Sequence, residues 1–190
     1  AIVVNQDGEN FKREIKELNL NFLDQGEVLI KVDFSDLNFK DALILNNGGK
    51  LVKDYPRIPG IDLSGKVIES TAEEFKKDDE IIVTGCRVGE LYHGGYSQIA
   101  KVKKELLIKK PKNLTSKQTM ILGTAGFTAL LCAFAVNARE EILLGEKVND
   151  VLVTGSTGGV GTVAIMVLSK LGYNVTAVTG KTNQEDVLKK

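Results

Sequence analysis

One histidine, His93, and two cysteines, Cys86 and Cys132, are all the chain has of those two residue types. A structural zinc needs a tight cysteine cluster, and a catalytic zinc needs three or four Cys, His or carboxylate ligands. The composition therefore argues against zinc, and no metal site is expected. The cysteines lie far apart with no partner pattern, so they read as reduced thiols of a cytoplasmic protein and not as a disulfide framework. His93 sits in a polar, glycine-bearing loop and reads as a solvated histidine. An excess of one charge is also missing: Lys plus Arg and Asp plus Glu both number 25. With no basic stripe, that balance excludes a nucleic-acid footprint. No secretory signal opens the chain; Ala1-Ile-Val-Val reads as a strand already under way, with a few residues expected before it. One long charge-free run does occur, from Gln118 to Ala138. Its length would suit a membrane span, but Thr119, Thr124, Thr128 and Asn137 dilute it. Gly123 is expected to break it into two short helices. A buried helix pair between two domains, without membrane contact, is the expectation.

What is present is enough for a folded core. Hydrophobic residues make up 43% and charged residues 26%, the balance of an ordered globular chain. Up to about Pro111 the sequence is a series of short strands and glycine turns. Val28 to Phe34, Leu63 to Glu69, Ile81 to Thr84, Tyr96 to Val102 and Leu106 to Ile108 read as strands, and Phe39 to Leu45 as one or two helical turns. Many short strands imply a small, partly open barrel. Near Lys112 the period changes. Thr115 and Gln118 form a capping box, and apolar residues recur at helical spacing from Met120 to Phe134. Two domains follow from this: residues 1–112, rich in β-structure, and residues 113–190, of α/β type.

The passage Val151-Leu-Val-Thr-Gly155-Ser-Thr-Gly158-Gly159-Val160-Gly161 constrains function most. An apolar β-branched run ends in glycines, a helical pattern from Val160 to Leu171 follows, and Asn174 to Val178 reads as a second strand. Strand, glycine turn, helix and strand are the front half of a dinucleotide-binding βαβ unit. The glycines allow a tight turn, close approach of a pyrophosphate and close helix–strand packing. The helix start offers free N–H groups to phosphate. The same letters fit Thr154-Gly155-x-x-x-Gly159-x-Gly161 of short-chain dehydrogenases. That family carries its glycines near the N-terminus, whereas roughly 150 residues precede them here, enough for a whole domain. None of Tyr55, Tyr92, Tyr96 or Tyr173 has the lysine four positions later that its catalytic pair requires. A complete dinucleotide domain needs several strands. After Val178 only a helical start, Asn183 to Lys190, remains, so the chain is expected to be part of a longer enzyme.

Five stretches taken together resemble one known group. They are Leu37-Asn-Phe-Lys-Asp-Ala42, Tyr55-Pro-Arg-Ile-Pro-Gly-Ile-Asp-Leu-Ser-Gly65, Gly94-Gly95-Tyr-Ser, Leu122-Gly-Thr-Ala-Gly-Phe-Thr-Ala129 and Val151 to Gly161. The chain resembles the zinc-independent quinone-oxidoreductase branch of the medium-chain dehydrogenase/reductase superfamily, and within it the bacterial acrylyl-CoA reductase group. The resemblance implies an α/β protein with a GroES-like β-barrel domain followed by an incomplete Rossmann domain, and a family chain that continues past Lys190. Zinc members carry Gly-His-Glu where this chain has Gly60-Ile61-Asp62, which agrees with the absence of metal.

Without a metal, the acceptor must be activated by conjugation. Hydride would add to the β-carbon of an α,β-unsaturated carbonyl, and charge would develop on the carbonyl oxygen. One well-placed donor there is worth about 3–4 kcal/mol. By the resemblance, Asn38, Lys40 and Asp41 face the nicotinamide and are the catalytic candidates, with Asn38 donating to the carbonyl. Lys40 and Asp41 have an alternative as an ordinary surface ion pair capping a helix. Phe39 stands where the family often has tyrosine and is placed against the cofactor, but it cannot relay a proton, so the proton donor is open. Thr124 and Thr128 are expected along the cofactor, with helix capping or back-bonding as the alternative. Thr157, Gly158, Gly159 and Val160 are expected at the pyrophosphate.

The end of the second strand separates the two nicotinamide cofactors. An NAD enzyme usually places Asp or Glu there for the ribose 2′-OH. This chain has Val178-Thr179-Gly180-Lys181, with no acid to repel a phosphate and donors at Thr179, Gly180 and Lys181. NADPH is therefore expected, the alternative being that Lys181 is a solvated loop lysine. The expected partner is a small conjugated carbonyl or acyl-CoA, with a quinone as runner-up acceptor. A catalytically silent NADPH-binding protein is the reading from another class. A homodimer is implied for the full-length protein.

Overall fold

The computed structural model of the chain describes residues 1–47, 50–139 and 149–188. Two compact units divide it, Ala1–Thr124 and Ala125–Lys190.

The first unit is β-rich. Strands β1 (Ile2–Asp7) and β2 (Asn10–Ile15) form an antiparallel hairpin. Strands β3 (Val28–Ser35), β4 (Asp62–Ser70), β5 (Glu80–Thr84), β6 (Ile99–Val102) and β7 (Ile108–Lys109) form one antiparallel sheet in the order β6-β3-β4-β5-β7. Alternation along these strands points Val28, Ile30, Leu63, Val67, Ile81, Val83, Ala100 and Val102 into one buried cluster. A shorter helix, α1 (Phe39–Leu45), follows β3 and packs Ile44 with Val4 and Val52 in a second cluster.

Helix α2 (Ser116–Arg139) starts as its sequence dictates. The Thr115 N–H donates to Gln118 Oε1 at 2.9 Å, and the Gln118 N–H donates to Thr115 Oγ1 at 3.2 Å, a reciprocal cap. Gly123 interrupts the helix with φ 48° and ψ −156°. By length and composition alone Ser116–Ala138 is long and apolar enough to cross a membrane, but the break at Gly123 divides it. The expected burial of this segment is only partial. Ala129 and Ala133 are fully buried, but Phe127, Leu131 and Phe134 are each about half exposed, at 50%, 53% and 59%. The helix is apolar on more than one face, and within the second unit the packing covers the alanine stripe.

In that unit β8 (Asp150–Thr154) and β9 (Asn174–Val178) pair in parallel. Helix α3 (Gly159–Lys170) connects them, completing the βαβ order read from the sequence. Ala133, Leu168 and Tyr173 form its core with Val151, Val153 and Val175 around them. A short helix, α4 (Glu185–Leu188), follows. The first unit runs through Thr124, beyond the change of period at residue 112.

Candidate functional site

In the first unit, four hydrogen bonds meet on one carboxylate. Asp62, at the start of β4, is fully buried. Its Oδ1 accepts the Gly85 N–H at 2.8 Å and the Thr124 hydroxyl at 2.5 Å. Its Oδ2 accepts the Thr124 N–H at 2.6 Å and the Asn38 amide at 3.0 Å. Asn38 donates a second time, from Nδ2 to Asp36 Oδ1 at 2.7 Å. Register explains why the two acids meet. In the β3–β4 ladder Phe34 faces Ser64 and Ser35 faces Leu63, and one further step sets Asp36 opposite Asp62. Like charges directly opposite each other repel, and the Asn38 amide bridges them. Burial, and then the neighbouring Asp62, push the Asp36 carboxyl up to about 7.

The expected catalytic trio divides differently in the structure. Asn38 is the N-cap of α1. Both hydrogens of its amide are already given to Asp36 and Asp62, so donation to a substrate carbonyl would require releasing one. Asp41 is fully buried. Its Oδ2 accepts the Asn38 N–H at 2.9 Å, and its Oδ1 accepts the Gly60 and Ile61 N–H groups at 3.2 and 3.0 Å. Burial holds its carboxyl above the usual range, against the pull of those backbone donors. Asp41 thus fastens the start of α1 to the loop entering β4. Lys40 does not pair with Asp41. Its ammonium lies 2.6 Å from Glu90, which Arg87 also contacts at 2.9 Å. Phe39 is 81% exposed, so its ring is available to a ligand but fixed by nothing.

His93 corrects the expectation of a solvated histidine. It is buried, stacks on Phe22 at 4.9 Å between centroids, and accepts the Ile58 N–H on Nδ1 at 3.1 Å. Its own N–H donates to Asp24, whose carboxylate also takes the buried Arg57 guanidinium. Burial lowers its pKa, and Asp24 opposes that shift. This is a structural role, invisible in a sequence where Asp24, Arg57 and His93 are far apart.

In the second unit, the turn between β8 and α3 carries the nucleotide signature. A Cβ at position 161 would run into the Gly155 carbonyl oxygen and lie 2.7 Å from Ser156 Cα, so the first helical turn closes only over glycine. Gly158 is the N-cap and offers no side chain to the helix start. Gly158, Gly159 and Val160 are exposed, leaving the first N–H groups of α3 open to an anion. The turn is fastened to the end of β9. Ser156 Oγ donates to the Val178 carbonyl at 2.9 Å, and the Thr157 and Thr179 hydroxyls lie 3.1 Å apart. The Lys181 N–H donates to Thr179 Oγ1 at 3.1 Å, while the Lys181 side chain and Gly180 are exposed. Ligands of open parallel sheets bind at this carboxyl end of the strands. Thr128, in the same unit, is half-buried on α2.

Sequence reasoning missed Asp36 and the fourfold coordination of Asp62. The triplet Gly60-Ile61-Asp62 singles out Asp62 in the sequence, but nothing there gives its pairing partner. An open cavity of about 760 Å³ lies among Ile2, Ile15, Leu20 and Ile99, and none of the site residues expected from the sequence lines it. Among the described residues no group of three His, Cys, Asp or Glu side chains is set to hold a metal ion.

Known proteins share this fold. The alcohol dehydrogenase GroES-like domain family matches residues 24–112. The chain is 46% identical to acrylyl-CoA reductase AcuI of Ruegeria pomeroyi over 99% of its own length and 57% of that protein. The chain belongs to the medium-chain dehydrogenase/reductase superfamily. Its neighbours there include the putative quinone oxidoreductase YhfP of Bacillus subtilis, 40% identical over 100% of this chain and 56% of that protein. The solved structure of YhfP with NAD bound superposes with a TM-score of 0.89 over 100% of this chain and 56% of that one. The Salmonella enterica yhdH oxidoreductase in complex with NADP gives a TM-score of 0.93 at 39% identity, over 100% of this chain and 57% of that one. The chain therefore spans a little over half the length of these relatives. It has the GroES-like domain and Rossmann-type αβ unit of the superfamily.

Proposed function

We propose that this chain belongs to an NADPH-dependent reductase that delivers hydride to the β-carbon of an α,β-unsaturated thioester of the acrylyl-CoA type. The observation that carries the reading is the β8–α3–β9 unit. Its helix start is uncapped by any side chain, its turn closes only over glycine at position 161, and its second strand ends in Thr179, Gly180 and Lys181 without an acid. A dinucleotide pyrophosphate fits such a helix start. Thr157, Gly158, Gly159 and Val160 would hold it, and Thr179 and Lys181 would meet a ribose 2′-phosphate. Relatives of the same fold are known with NADP and with NAD, so fold alone does not choose, and the choice rests on the residues at the end of β9.

The bound nicotinamide supplies a hydride. The protein's part is orientation and polarisation. Thr124 and Asn38 are locked onto Asp62, which makes this part of the first unit rigid before substrate arrives. Asp41 acts on the site by holding α1 and the loop at Gly60 in register, and Lys40 by tying α1 to Glu90. A quinone, also a conjugated acceptor, is the second reading and is favoured by the name of YhfP. We further assign the protein to the cytoplasm and its full-length form to a homodimer.

The test is a titration of the full-length protein with NADPH and NADH, using acrylyl-CoA and a small quinone as acceptors. Lys181→Glu is expected to raise the KM for NADPH at least about tenfold, the size of one lost charge-assisted contact plus repulsion, and to leave NADH nearly unchanged. Equal losses for both cofactors would refute the role given to Lys181.

A further inference from the structure

We propose that Asp36 is the acid that protonates the α-carbon of the substrate, with Asp62 and Asn38 holding it in place. The inference rests on the reductase reading above. It answers a question the sequence leaves open, because Phe39 has no hydroxyl with which to relay a proton.

The geometry divides the two facing carboxyls into different roles. Asp62 is fully buried and receives four donors: Gly85 N–H, Thr124 N–H, the Thr124 hydroxyl and the Asn38 amide. Both of its oxygens are filled. Asp36 receives one side-chain donor, the Asn38 amide, on Oδ1. Its Oδ2 occupies the space that a side chain at position 123 would need, where a Cβ would also lie 2.7 Å from Asp62 Oδ2. Two carboxyls this close hold one proton more easily than none, and the donor count leaves Asp36 as its carrier. Asp36 is half-buried where Asp62 is sealed, so of the two carboxyls it is the one open to exchange with water. The Tyr96 hydroxyl donates to the Asp36 carbonyl oxygen at 2.9 Å and fixes the backbone beneath it.

The charged and titratable groups around Asp36 are Asp62 on β4, Asp41 on α1 and Tyr96. No cation is among the groups that shift it. Burial and Asp62 together push the Asp36 carboxyl up to about 7, which suits an acid working near neutral pH.

The step balances as follows. A hydride reaches the β-carbon and forms a C–H bond there, and the double-bond pair moves onto the α-carbon and carbonyl oxygen as an enolate. The Asp36 O–H bond breaks as the α-carbon C–H bond forms, leaving the Asp36 carboxylate. Water then returns the proton to Asp36. A quinone acceptor takes its protons on oxygen, where water can supply them directly.

The experiment uses the full-length protein and its Asp36→Asn variant. Asparagine keeps an oxygen for the Asn38 amide, and thermal melting checks that it folds. With an enoyl thioester, Asp36→Asn is expected to lower kcat about 10²-fold and to remove the fall in rate above neutral pH. Independently of turnover, carbon-13 NMR of the aspartate carboxyls in the cofactor-free wild type should show one group titrating near neutral pH that vanishes in Asp36→Asn. An unchanged thioester rate, an unchanged alkaline limb, or no near-neutral carboxyl in the wild type overturns the assignment while leaving the reductase intact. If the wild type oxidises NADPH with neither acceptor, the reductase reading fails and Asp36 loses its role with it.

Discussion

Replacing Gly123 with alanine tests the geometry on which the site depends. Gly123 adopts φ 48° and ψ −156°, a region that only glycine enters without strain, at about 1–3 kcal/mol for another residue. The added Cβ would collide with Asp36 Oδ2 and press on Asp62 Oδ2. Overpacking of this kind costs about 1–3 kcal/mol more. Alanine also stiffens the unfolded chain, which returns about 0.4–1 kcal/mol. The net expectation is a loss of about 1–6 kcal/mol, read as a lower urea midpoint at unchanged slope. Gly180→Ala is the internal control. Nothing lies within 4 Å of a Cβ there, and its φ is not in the left-handed region, so stability should be unchanged or rise by up to about 1 kcal/mol. Circular dichroism at 222 nm follows both. A Gly123→Ala variant within 1 kcal/mol of wild type would show that the backbone at 123 does not require glycine, and that the carboxyl pair is not packed against it.

Two further outcomes follow from residues outside the carboxyl pair. Cys86 and Arg87 take φ 50° and 63° at the centre of the turn closed by Val88 N–H on the Gly85 carbonyl, a type I′ geometry that prefers Asn and Gly. Cys86 is exposed, so Cys86→Asn should stabilise by up to about 1 kcal/mol and Cys86→Val should destabilise by about as much, both read by urea unfolding. Equal effects of the two would refute the backbone argument. His93 is held neutral, its pKa lowered chiefly by burial. The unfolded chain binds the proton first, so the contribution of His93 to stability is full above pH 6.5 and is lost as pH falls below it toward the folded value. His93→Asn should flatten that acid-side slope relative to wild type, and a variant with the wild-type slope would exclude His93 as its source.

Much of the fold was legible because it follows periodicity and punctuation. Phe39–Leu45 formed one helix as its pattern predicts, and Asn174–Val178 one strand. Thr115 and Gln118 cap α2, and Gly123 breaks it. Strand β2 was not legible. Asn10–Ile15 is charged and almost wholly exposed, so it has no alternation to read and exists by pairing with β1. The partial burial of α2 was missed for a related reason, since an apolar run shows that a segment can be buried but not how many of its faces find partners. At the site, the turn from Gly155 to Gly161 was legible because each glycine answers a local constraint. The contacts of Asn38, Lys40 and Asp41 were not, because their partners Asp62, Glu90 and Gly60 lie on other elements and are brought in by sheet register.

That register gives the clearest account of how this chain builds a site from short-range rules. Antiparallel pairing of β3 with β4 brings Asp36 opposite Asp62, an arrangement that repulsion alone would reject. It persists because the surroundings treat the two acids unequally. Gly85, Thr124 and Asn38 saturate Asp62, and charge-assisted hydrogen bonds of that number can outweigh the cost of burying one carboxylate. They cannot do so twice in the same space, so the second carboxyl is pushed up to about 7. Gly123 makes the pairing possible by offering no side chain where the oxygens converge. The same glycine ends the first part of α2 and presents the Thr124 N–H to Asp62. One residue without a side chain thus sets the helix break, the donor geometry and the room for the second acid, and with them the close pairing with Asp62 that, after burial, raises the Asp36 carboxyl.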